Sequence, residues 1–223
     1  MKPWETLART TLKDGTELAL RRHPSETVIE VNGQSLMSSR QHASEEALAR
    51  LGCADAAKVP RPRVMIGGLG MGYTLRAALD LLPADAVVVV SELVPEVADW
   101  NRGPLADLAG RPLDDARVQL EIGDVVKLIR NTPGKFDAIL LDVDNGPTDM
   151  TIASNKKLYG GTGLAAARAA LNPAGTLAVW SQTNEPDFER RLRAAGFEVR
   201  QERVHARAHK GSKHTIVIAR RQE

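Results

Sequence analysis

A cluster of glycines between an apolar run and a helical pattern is the feature that most constrains this chain. Residues 64–66 predict a buried strand, and residues 73–82 have the apolar spacing of a helix. Gly68, Gly70 and Gly72 lie between the two. A strand, a glycine turn and a helix open the nucleotide-binding unit of α/β folds, because glycines let a ligand approach and the helix start offers unpaired N–H groups. We therefore expect these glycines to bind a nucleotide-like cofactor; an ordinary strand-to-helix turn is the alternative.

An acidic residue at the end of the next apolar run supports this interpretation. Residues 86–90 predict a second strand, which is followed by Ser91-Glu92-Leu93. Glu92 lies 20 residues after Gly72, the spacing at which such folds place a carboxylate that accepts hydrogen bonds from the ribose hydroxyls. We expect Glu92 and the adjoining Leu93 to contribute to cofactor binding. A glutamate that caps a helix or lies on the surface is the alternative.

Composition limits the class of protein. The 223 residues suffice for one α/β domain with a small appendage, and 43% hydrophobic and 26% charged residues are ordinary for a globular chain. A net charge of +2 makes no case for a nucleic-acid partner. Cys53 is the only cysteine, which excludes an internal disulfide and a cysteine-cluster metal site. Since no long apolar run or signal-like segment is found, we expect a cytoplasmic protein without a membrane partner.

The beginning of the chain predicts a small unit of its own. Residues 16–22 and 27–31 carry alternating or β-branched residues, and a further turn follows at Asn32-Gly33. We therefore expect a β-hairpin unit over residues 1–43. Residues 44–223 are assigned to a Rossmann-like, nucleoside-binding catalytic domain.

The rest of the chain alternates strands and helices. Ser44 is expected to cap a helix that Gly52 ends. A turn at residues 172–175 should precede a strand. The further predicted strands are 118–122, 136–142, 176–180, 197–204 and 215–219. The last two are joined by a loop without a helical pattern, so they should pair antiparallel at one edge. The prediction is an α/β fold with a Rossmann-like, mostly parallel seven-stranded sheet and an antiparallel edge pair, which favours S-adenosylmethionine over NAD.

Acidic residues at the ends of predicted strands indicate where the site lies. They are Glu92, Asp124, Asp142 and, just beyond, Asp144. Ligands of open α/β sheets bind beyond the carboxyl ends of the strands, so these side chains should converge. Asp124, between Gly123 and Val125, is suited to accept a hydrogen bond from an adenine amino group. Asp142 and Asp144 lie in a loop at the mouth of the site. For each aspartate, a role in a cap or a turn is the alternative.

On these motifs the sequence resembles the spermidine synthase (aminopropyltransferase) family, whose fold is that of class I S-adenosylmethionine-dependent methyltransferases. The similarity runs from about residue 16 to residue 180. It covers the hairpins, the glycine turn, the acids at the strand ends, Gly146-Pro147, Leu158-Tyr159 and Trp180-Ser181-Gln182. The resemblance implies that Glu92 binds the ribose, that Asp124 lies near the adenine and that Asp142 receives the proton of the attacking amine. It also implies that Asp144 lies near the group that holds the acceptor's ammonium.

The function implied by this resemblance is transfer of an alkyl (aminopropyl) group to a small amine, as in polyamine biosynthesis. The donor would be decarboxylated S-adenosylmethionine or S-adenosylmethionine, no metal would be needed, and a homodimer is a candidate assembly. His42 lies where family members carry a segment that covers the site, and Gln182 belongs to the last similar motif. Both are therefore candidates for substrate contact, with a surface role as the alternative for His42.

Two positions depart from the family pattern. Family members carry an aspartate, facing the amine of the decarboxylated donor, where this chain has Gly70. Their Tyr-x-Glu motif is not matched by residues 41–47, Gln-His-Ala-Ser-Glu-Glu-Ala. A methyltransferase on the same scaffold is therefore the first alternative, and a catalytically silent nucleoside-binding scaffold is the second. His205 and His209 are spaced as metal ligands on a helix, but their surroundings predict a strand and a loop, so no metal is expected.

Overall fold

An antiparallel sheet whose strands lie between Glu5 and Ser38 precedes a larger α/β unit. The structure is a computed structural model that describes residues 3–12, 14–143, 147, 156–207 and 210–222. The first sheet contains, in spatial order, β1 (Glu5–Thr11), β2 (Glu17–His23), β3 (Glu26–Val31) and β4 (Gln34–Ser38). The turn between β3 and β4 places Asn32 and Gly33 at φ 50° and 78°, the conformation that hairpin turns require. The β-hairpin unit of the predicted fold is thus confirmed, with β1 and β4 in addition, whereas its boundary at residue 43 remains a prediction.

The larger sheet has the predicted mixture of parallel and antiparallel pairing. Its strands are β5 (Arg63–Gly67), β6 (Val87–Glu92), β7 (Val118–Ile122), β8 (Phe136–Leu141), β9 (Leu171–Ser181), β10 (Phe197–Arg207) and β11 (Lys210–Arg221). In the part of the chain that the structure describes, these seven strands follow the order β10-β11-β9-β8-β5-β6-β7. Neighbours from β7 through β9 are parallel, whereas β11 runs antiparallel to both β9 and β10. The predicted fold class is confirmed.

Helices cover both faces of this sheet. They are α1 (Ala43–Gly52), α2 (Tyr73–Leu81), α3 (Pro95–Arg102), α4 (Val125–Asn131), α5 (Lys156–Tyr159), α6 (Gly161–Ala170) and α7 (Pro186–Ala194), with short 3₁₀ turns at Ala56–Lys58, Ala106–Ala109 and Pro112–Asp114. Successive side chains of β5 point to opposite faces of the sheet and pack into two separate hydrophobic cores. Val64 and Ile66 pack with side chains of α1, α2 and the N-terminal sheet, and Met65 packs with those of α4 and α6. The N-terminal sheet is therefore anchored to one face by shared apolar burial.

The predicted cap of α1 is wrong. The helix begins at Ala43, and His42 occupies the N-cap position without a side-chain capping bond. Ser44 lies inside the first turn, where its hydroxyl oxygen is hydrogen-bonded to the Glu45 carboxyl group at 2.6 Å. The sequence alone did not reveal that Ser44 is buried. Because it is buried inside the helix, its hydroxyl contacts the neighbouring Glu45 side chain and does not cap the helix. Gly52 is the last residue of α1, as predicted.

Two segments that the sequence predicts to be a turn and a loop belong to strands in the structure. Residues 172–175 belong to β9, but the register against β8 shifts between Phe136 and Ala138, and Ala174 has φ 60°. The predicted turn is thus an irregularity within a longer strand. The predicted loop after residue 204 is also largely strand, because β10 pairs with β11 as far as Arg207. Cross-strand pairing overrides the weak β pattern of these basic residues.

Candidate functional site

A cavity of about 220 Å³ lies between the N-terminal sheet and the carboxyl ends of β5, β6 and β8. The glycine turn and the strand ends contribute Gly68, Gly70, Glu92, Leu93, Gly123, Asp124, Val125 and Asp142 to its lining. The N-terminal sheet contributes apolar side chains, among them Leu18, Ile29, Val31, Leu36 and Met37. Most of the cofactor-binding residues expected from sequence are therefore brought together around one cavity. The sequence did not predict that the N-terminal sheet would form the opposite wall.

The three glycines of the turn all have left-handed backbones, but they face different surroundings. Their φ angles are 87°, 52° and 84° at Gly68, Gly70 and Gly72. A Cβ at Gly68 would overlap the carbonyl oxygen of Asp142, so the absence of a side chain allows the turn to pass against the loop after β8. A Cβ at Gly70 would lie 2.7 Å from the Met37 thioether. Gly72 is the N-cap of α2 and faces Asn101, away from the cavity lining.

Glu92 is held firmly behind the glycine turn. Its side chain is 7% exposed, with one carboxylate oxygen accepting the Leu69 N–H at 2.9 Å and the other accepting the Val94 N–H at 2.8 Å. Burial raises the pKa of Glu92, and the backbone N–H groups of Val94 and Leu69, followed by those of Leu93 and Gly70, oppose that rise. Each carboxylate oxygen retains a lone pair, so the group can still accept from a hydroxyl in the cavity. The ribose contact remains a prediction.

Asp124 has a structural partner as well as a place in the cavity wall. It is the N-cap of α4, and its Oδ1 accepts the Val126 N–H at 2.8 Å. The capping role considered from sequence therefore exists for one oxygen, while the residue also lines the cavity with Gly123 and Val125. An adenine contact by the remaining oxygen stays a prediction.

Asp142 forms a pair of interacting carboxyl groups with Glu45 of α1. Thr74 donates its hydroxyl to Asp142 Oδ2 at 2.8 Å, and the same hydroxyl lies 3.5 Å from the Glu45 carbonyl oxygen. Burial raises the pKa of Asp142 to about 6. Burial, and then the charge of Asp142, raises the pKa of Glu45 to about 8. Near neutral pH the pair therefore holds one proton, chiefly on Glu45, which leaves Asp142 free to accept another.

Sequence reasoning missed Glu45, although a signal was present. Glu45 precedes Leu48 and Ala49 by three and four residues, and residues at these spacings share one face of a helix. Leu48 and Ala49 are fully buried, and Glu45 is 8% exposed on the same face. A carboxylate on the apolar face of a helix next to a site indicates a polar partner within that site.

The other predicted site residues lie outside this cavity or outside the described residues. His42 stacks on Tyr73 with ring centroids 4.1 Å apart, and it pairs with Glu46 at 2.8 Å in a separate surface depression. Gln182 is exposed and does not line the cavity. Asp144 falls among the residues that the structure does not describe. Substrate contacts by His42 and Gln182, and a catalytic role of Asp144, remain predictions.

Neither a metal site nor a membrane-spanning helix is found in the described ranges. No group of three or more His, Cys, Asp and Glu side chains there is arranged to hold a metal ion. Of the two histidines weighed as ligands, His205 lies on β10, and His209 falls outside the described residues. Among these same ranges, none of the helices has the length and apolar character needed to cross a bilayer.

Strand order and the position of the cavity define a Rossmann-like fold of the spermidine synthase type. A crystal structure of spermidine synthase in complex with the transition-state analogue AdoDATO superposes with a TM-score of 0.74 at 18% identity, over 96% of this chain and 72% of that one. The spermidine synthase of Thermotoga maritima gives a TM-score of 0.72 at 17% identity, with the same coverage. The predicted fold is thus shared with known spermidine synthases.

Sequence comparison leads to the same group of proteins. A polyamine aminopropyltransferase of Saccharolobus islandicus is 28% identical over 148 residues, which are 66% of this chain and 47% of the relative. A spermine synthase of Arabidopsis thaliana is 33% identical over 136 residues, or 60% of this chain and 35% of the relative. The chain therefore spans half or less of the length of these relatives. No protein-family model matches the chain. The similarity to aminopropyltransferases that the motifs predict is confirmed.

Proposed function

We propose that this protein is an aminopropyltransferase-like enzyme. It binds decarboxylated S-adenosylmethionine or S-adenosylmethionine and transfers an alkyl group, aminopropyl in the first case, to a small amine. The observation that carries the proposal is Asp142, a carboxylate in the wall of the cavity whose pKa, about 6, suits a base near neutral pH. The similarity to polyamine aminopropyltransferases supports the same reaction.

The chemistry of a sulfonium donor explains why the cavity needs such a base. The amine attacks a carbon bonded to positively charged sulfur, the carbon–sulfur bond breaks, and a neutral thioether leaves. An amine arrives largely as an ammonium and must lose a proton before it can attack. Asp142 takes this proton, an effect worth about 10²–10⁴-fold in rate. Holding the nitrogen, carbon and sulfur in line supplies a further contribution of about 7–11 kcal/mol.

The cavity has an acidic wall at the strand ends and an apolar wall on the N-terminal sheet, and the donor is proposed to bind between them. Glu92 and Asp124 are proposed to bind the ribose and the adenine, since both lie at strand ends next to the glycine turn. The apolar side chains of the N-terminal sheet face them and exclude water from the reacting carbon. Asp144 is proposed to assist Asp142, and His42 and Gln182 to contact the acceptor.

Methyl transfer from full S-adenosylmethionine is the second candidate, and the surroundings of Gly70 favour it. Where family members place an aspartate, this chain has a glycine against the uncharged Met37 thioether. No carboxylate at position 70 repels the donor's own carboxylate. Gly70→Asp is not a clean test of this idea, because Gly70 has φ 52° and a Cβ there would displace Met37.

We also propose that the protein acts in the cytoplasm as a homodimer. A buried, reduced Cys53 is compatible with a reducing compartment. Trp4 and Leu36 of the N-terminal region are 39% and 41% exposed, and a second copy could cover them. Light scattering after size exclusion tests the dimer, which a monomeric mass at all concentrations would contradict.

Calorimetric titration tests the donor site directly. Decarboxylated S-adenosylmethionine, S-adenosylmethionine and methylthioadenosine are compared on the same preparation, with Glu92→Ala as the matched variant. We expect all three ligands to bind, with affinity lost in the variant. Binding of none of them would contradict the proposed function, whereas binding of full S-adenosylmethionine alone would select the methyltransferase.

A further inference from the structure

A line of hydrogen-bonding groups leads from Glu45 to the surface at the β10–β11 hairpin. Ser44 Oγ lies 2.6 Å from Glu45 Oε2 and 3.0 Å from His214 Nδ1. The other ring nitrogen of His214, Nε2, lies 3.2 Å from the hydroxyl of the exposed Ser212. Residues 44 and 214 are 170 positions apart, so this line connects α1 with strand β11 of the large sheet.

The inner members of this line, Glu45 and Ser44, are shielded from water, whereas Ser212 at its outer end is exposed to solvent. Ser44 is 1% exposed and Glu45 is 8% exposed, so neither side chain can exchange a proton freely with water. His214 is half-buried and packs edge-on against Trp180, with ring centroids 4.7 Å apart. Because burial lowers the pKa of His214, its ring is neutral near pH 7 and can both accept and donate a proton.

We propose that Glu45, Ser44 and His214 form a path that carries the proton released at Asp142 to the protein surface. The proposal rests on the proposed function, because aminopropyl transfer releases one proton for each amine alkylated. It makes Glu45 and His214 positioning and proton-transfer groups that act through Asp142.

The steps balance without any further reactant. Asp142 first takes a proton from the incoming ammonium, which removes its negative charge from beside Glu45. Glu45 then releases its own proton to Ser44 Oγ, while the Ser44 hydroxyl proton passes to His214 Nδ1 and the proton on His214 Nε2 passes to solvent. One proton has left, and His214 is neutral before and after, with its tautomer exchanged. Asp142 lies beside Glu45, since the Thr74 hydroxyl contacts the Asp142 carboxylate and the Glu45 carbonyl oxygen. The proton then passes from Asp142 to the stronger base, Glu45, and reorientation of the Ser44 hydroxyl and the His214 ring restores the first state.

Other titratable groups near the path do not replace it. Asp142 and Glu46 act on Glu45 through their charges, Glu45 and Glu46 act on Tyr73 in the same way, and Glu46 and Tyr73 both contact His42. Around His214, the pairing of β10 with β11 aligns Val204 with His214, and His205 with Lys213. Among the described hydrogen bonds, those of Ser44 are the ones that join Glu45 and His214.

The test measures how turnover depends on buffer concentration in Ser44→Ala and His214→Phe. Both variants interrupt the path, and His214→Phe keeps a ring against Trp180. Ser181→Ala is the matched control. Ser181 lies on β9, the strand that pairs with β11, and the substitution removes a buried hydroxyl that is hydrogen-bonded to Glu185. At low buffer concentration we expect kcat to fall about tenfold in both variants, less than the loss of a direct acid–base group, while KM stays constant. Imidazole at constant ionic strength should restore kcat, since a small diffusing base replaces the path.

The possible outcomes distinguish a failure of the proton path from a failure of the proposed function. Wild type and Ser181→Ala should show no dependence on imidazole, and the acidic limb of their kcat profile should coincide. If Ser44→Ala and His214→Phe turn over like wild type at every buffer concentration while Asp142→Asn is inactive, the path is wrong and the function stands. A low kcat that imidazole does not restore would also overturn the path, since that result indicates a structural effect. Absence of turnover by wild type would instead contradict the proposed function.

Discussion

Replacing Glu45 with glutamine removes a buried ionisable group next to Asp142 and should make stability less sensitive to pH. The pKa of Glu45 rises from an ordinary value of 4.5 to about 8 because the side chain is buried and Asp142 is close. Between these values the folded protein holds a proton that the unfolded chain has released. The free energy of unfolding of the wild type therefore falls as pH rises through this range, and the contribution is fully lost above the folded pKa.

The magnitude follows from the two pKa values. At about 1.4 kcal/mol for each pH unit, ionising Glu45 in the folded protein rather than in the unfolded chain costs up to about 5 kcal/mol. The glutamine variant keeps the shape of the side chain and does not ionise. Its stability relative to wild type should therefore increase by about 2–5 kcal/mol from acidic to alkaline pH, a large part of a typical folding free energy.

Urea unfolding followed by circular dichroism, from below pH 4.5 to above pH 8, measures this difference. Glu46→Gln is the control, because Glu46 follows directly in the chain, is exposed and pairs with His42. Its unfolding free energy should stay within about 0.5 kcal/mol of wild type at every pH, as is usual for exposed substitutions. Parallel curves for wild type and Glu45→Gln would refute the placement of an ionisable Glu45 in a buried pair with Asp142.

Three further substitutions test separate parts of the site. Asp142→Asn should fold and bind the donor with wild-type affinity but lose about 10²–10⁴-fold in kcat, because it takes no proton; near wild-type turnover would remove Asp142 from the mechanism. Glu92→Ala should weaken methylthioadenosine in calorimetry by about 1–3 kcal/mol, the effect of losing a charged acceptor; equal affinity would exclude the ribose contact. Asp124→Ala should lower the free energy of unfolding in urea by about 0.5–2 kcal/mol through the lost cap of α4; unchanged stability would show that the Val126 N–H finds another partner.

Most of the large sheet could be predicted because its signals are local. Near-continuous apolar runs such as residues 136–141 are typical of strands covered on both faces, and the strand-to-helix turn at Gly68–Gly72 needs glycines for its backbone angles. The acids follow the strands directly, so the parallel order brings Glu92, Asp124 and Asp142 to one edge.

The features that sequence did not reveal depend on contacts between distant segments. β4 is a short, mostly exposed strand with a polar sequence, so only its pairing with β3 defines it. The face on which the N-terminal sheet packs, and hence the approach of Met37 to Gly70, is fixed by tertiary burial. Glu45 lies on a helix predicted from other residues, and His214 falls in the predicted loop before the last strand. Their connection through Ser44 requires the folded chain.

Product analysis tests the central claim, group transfer from a sulfonium donor to an amine, most directly. Wild type and Asp142→Asn are incubated with decarboxylated S-adenosylmethionine or S-adenosylmethionine and a panel of diamines, and nucleoside and amine products are quantified by mass spectrometry. We expect wild type to form methylthioadenosine from the decarboxylated donor in equal amount to an aminopropylated amine, and the variant to form little of either. Release of S-adenosylhomocysteine with a methylated amine would select the methyltransferase instead. Absence of any alkylated amine from both donors, with wild-type protein that binds them, would contradict group transfer by this protein.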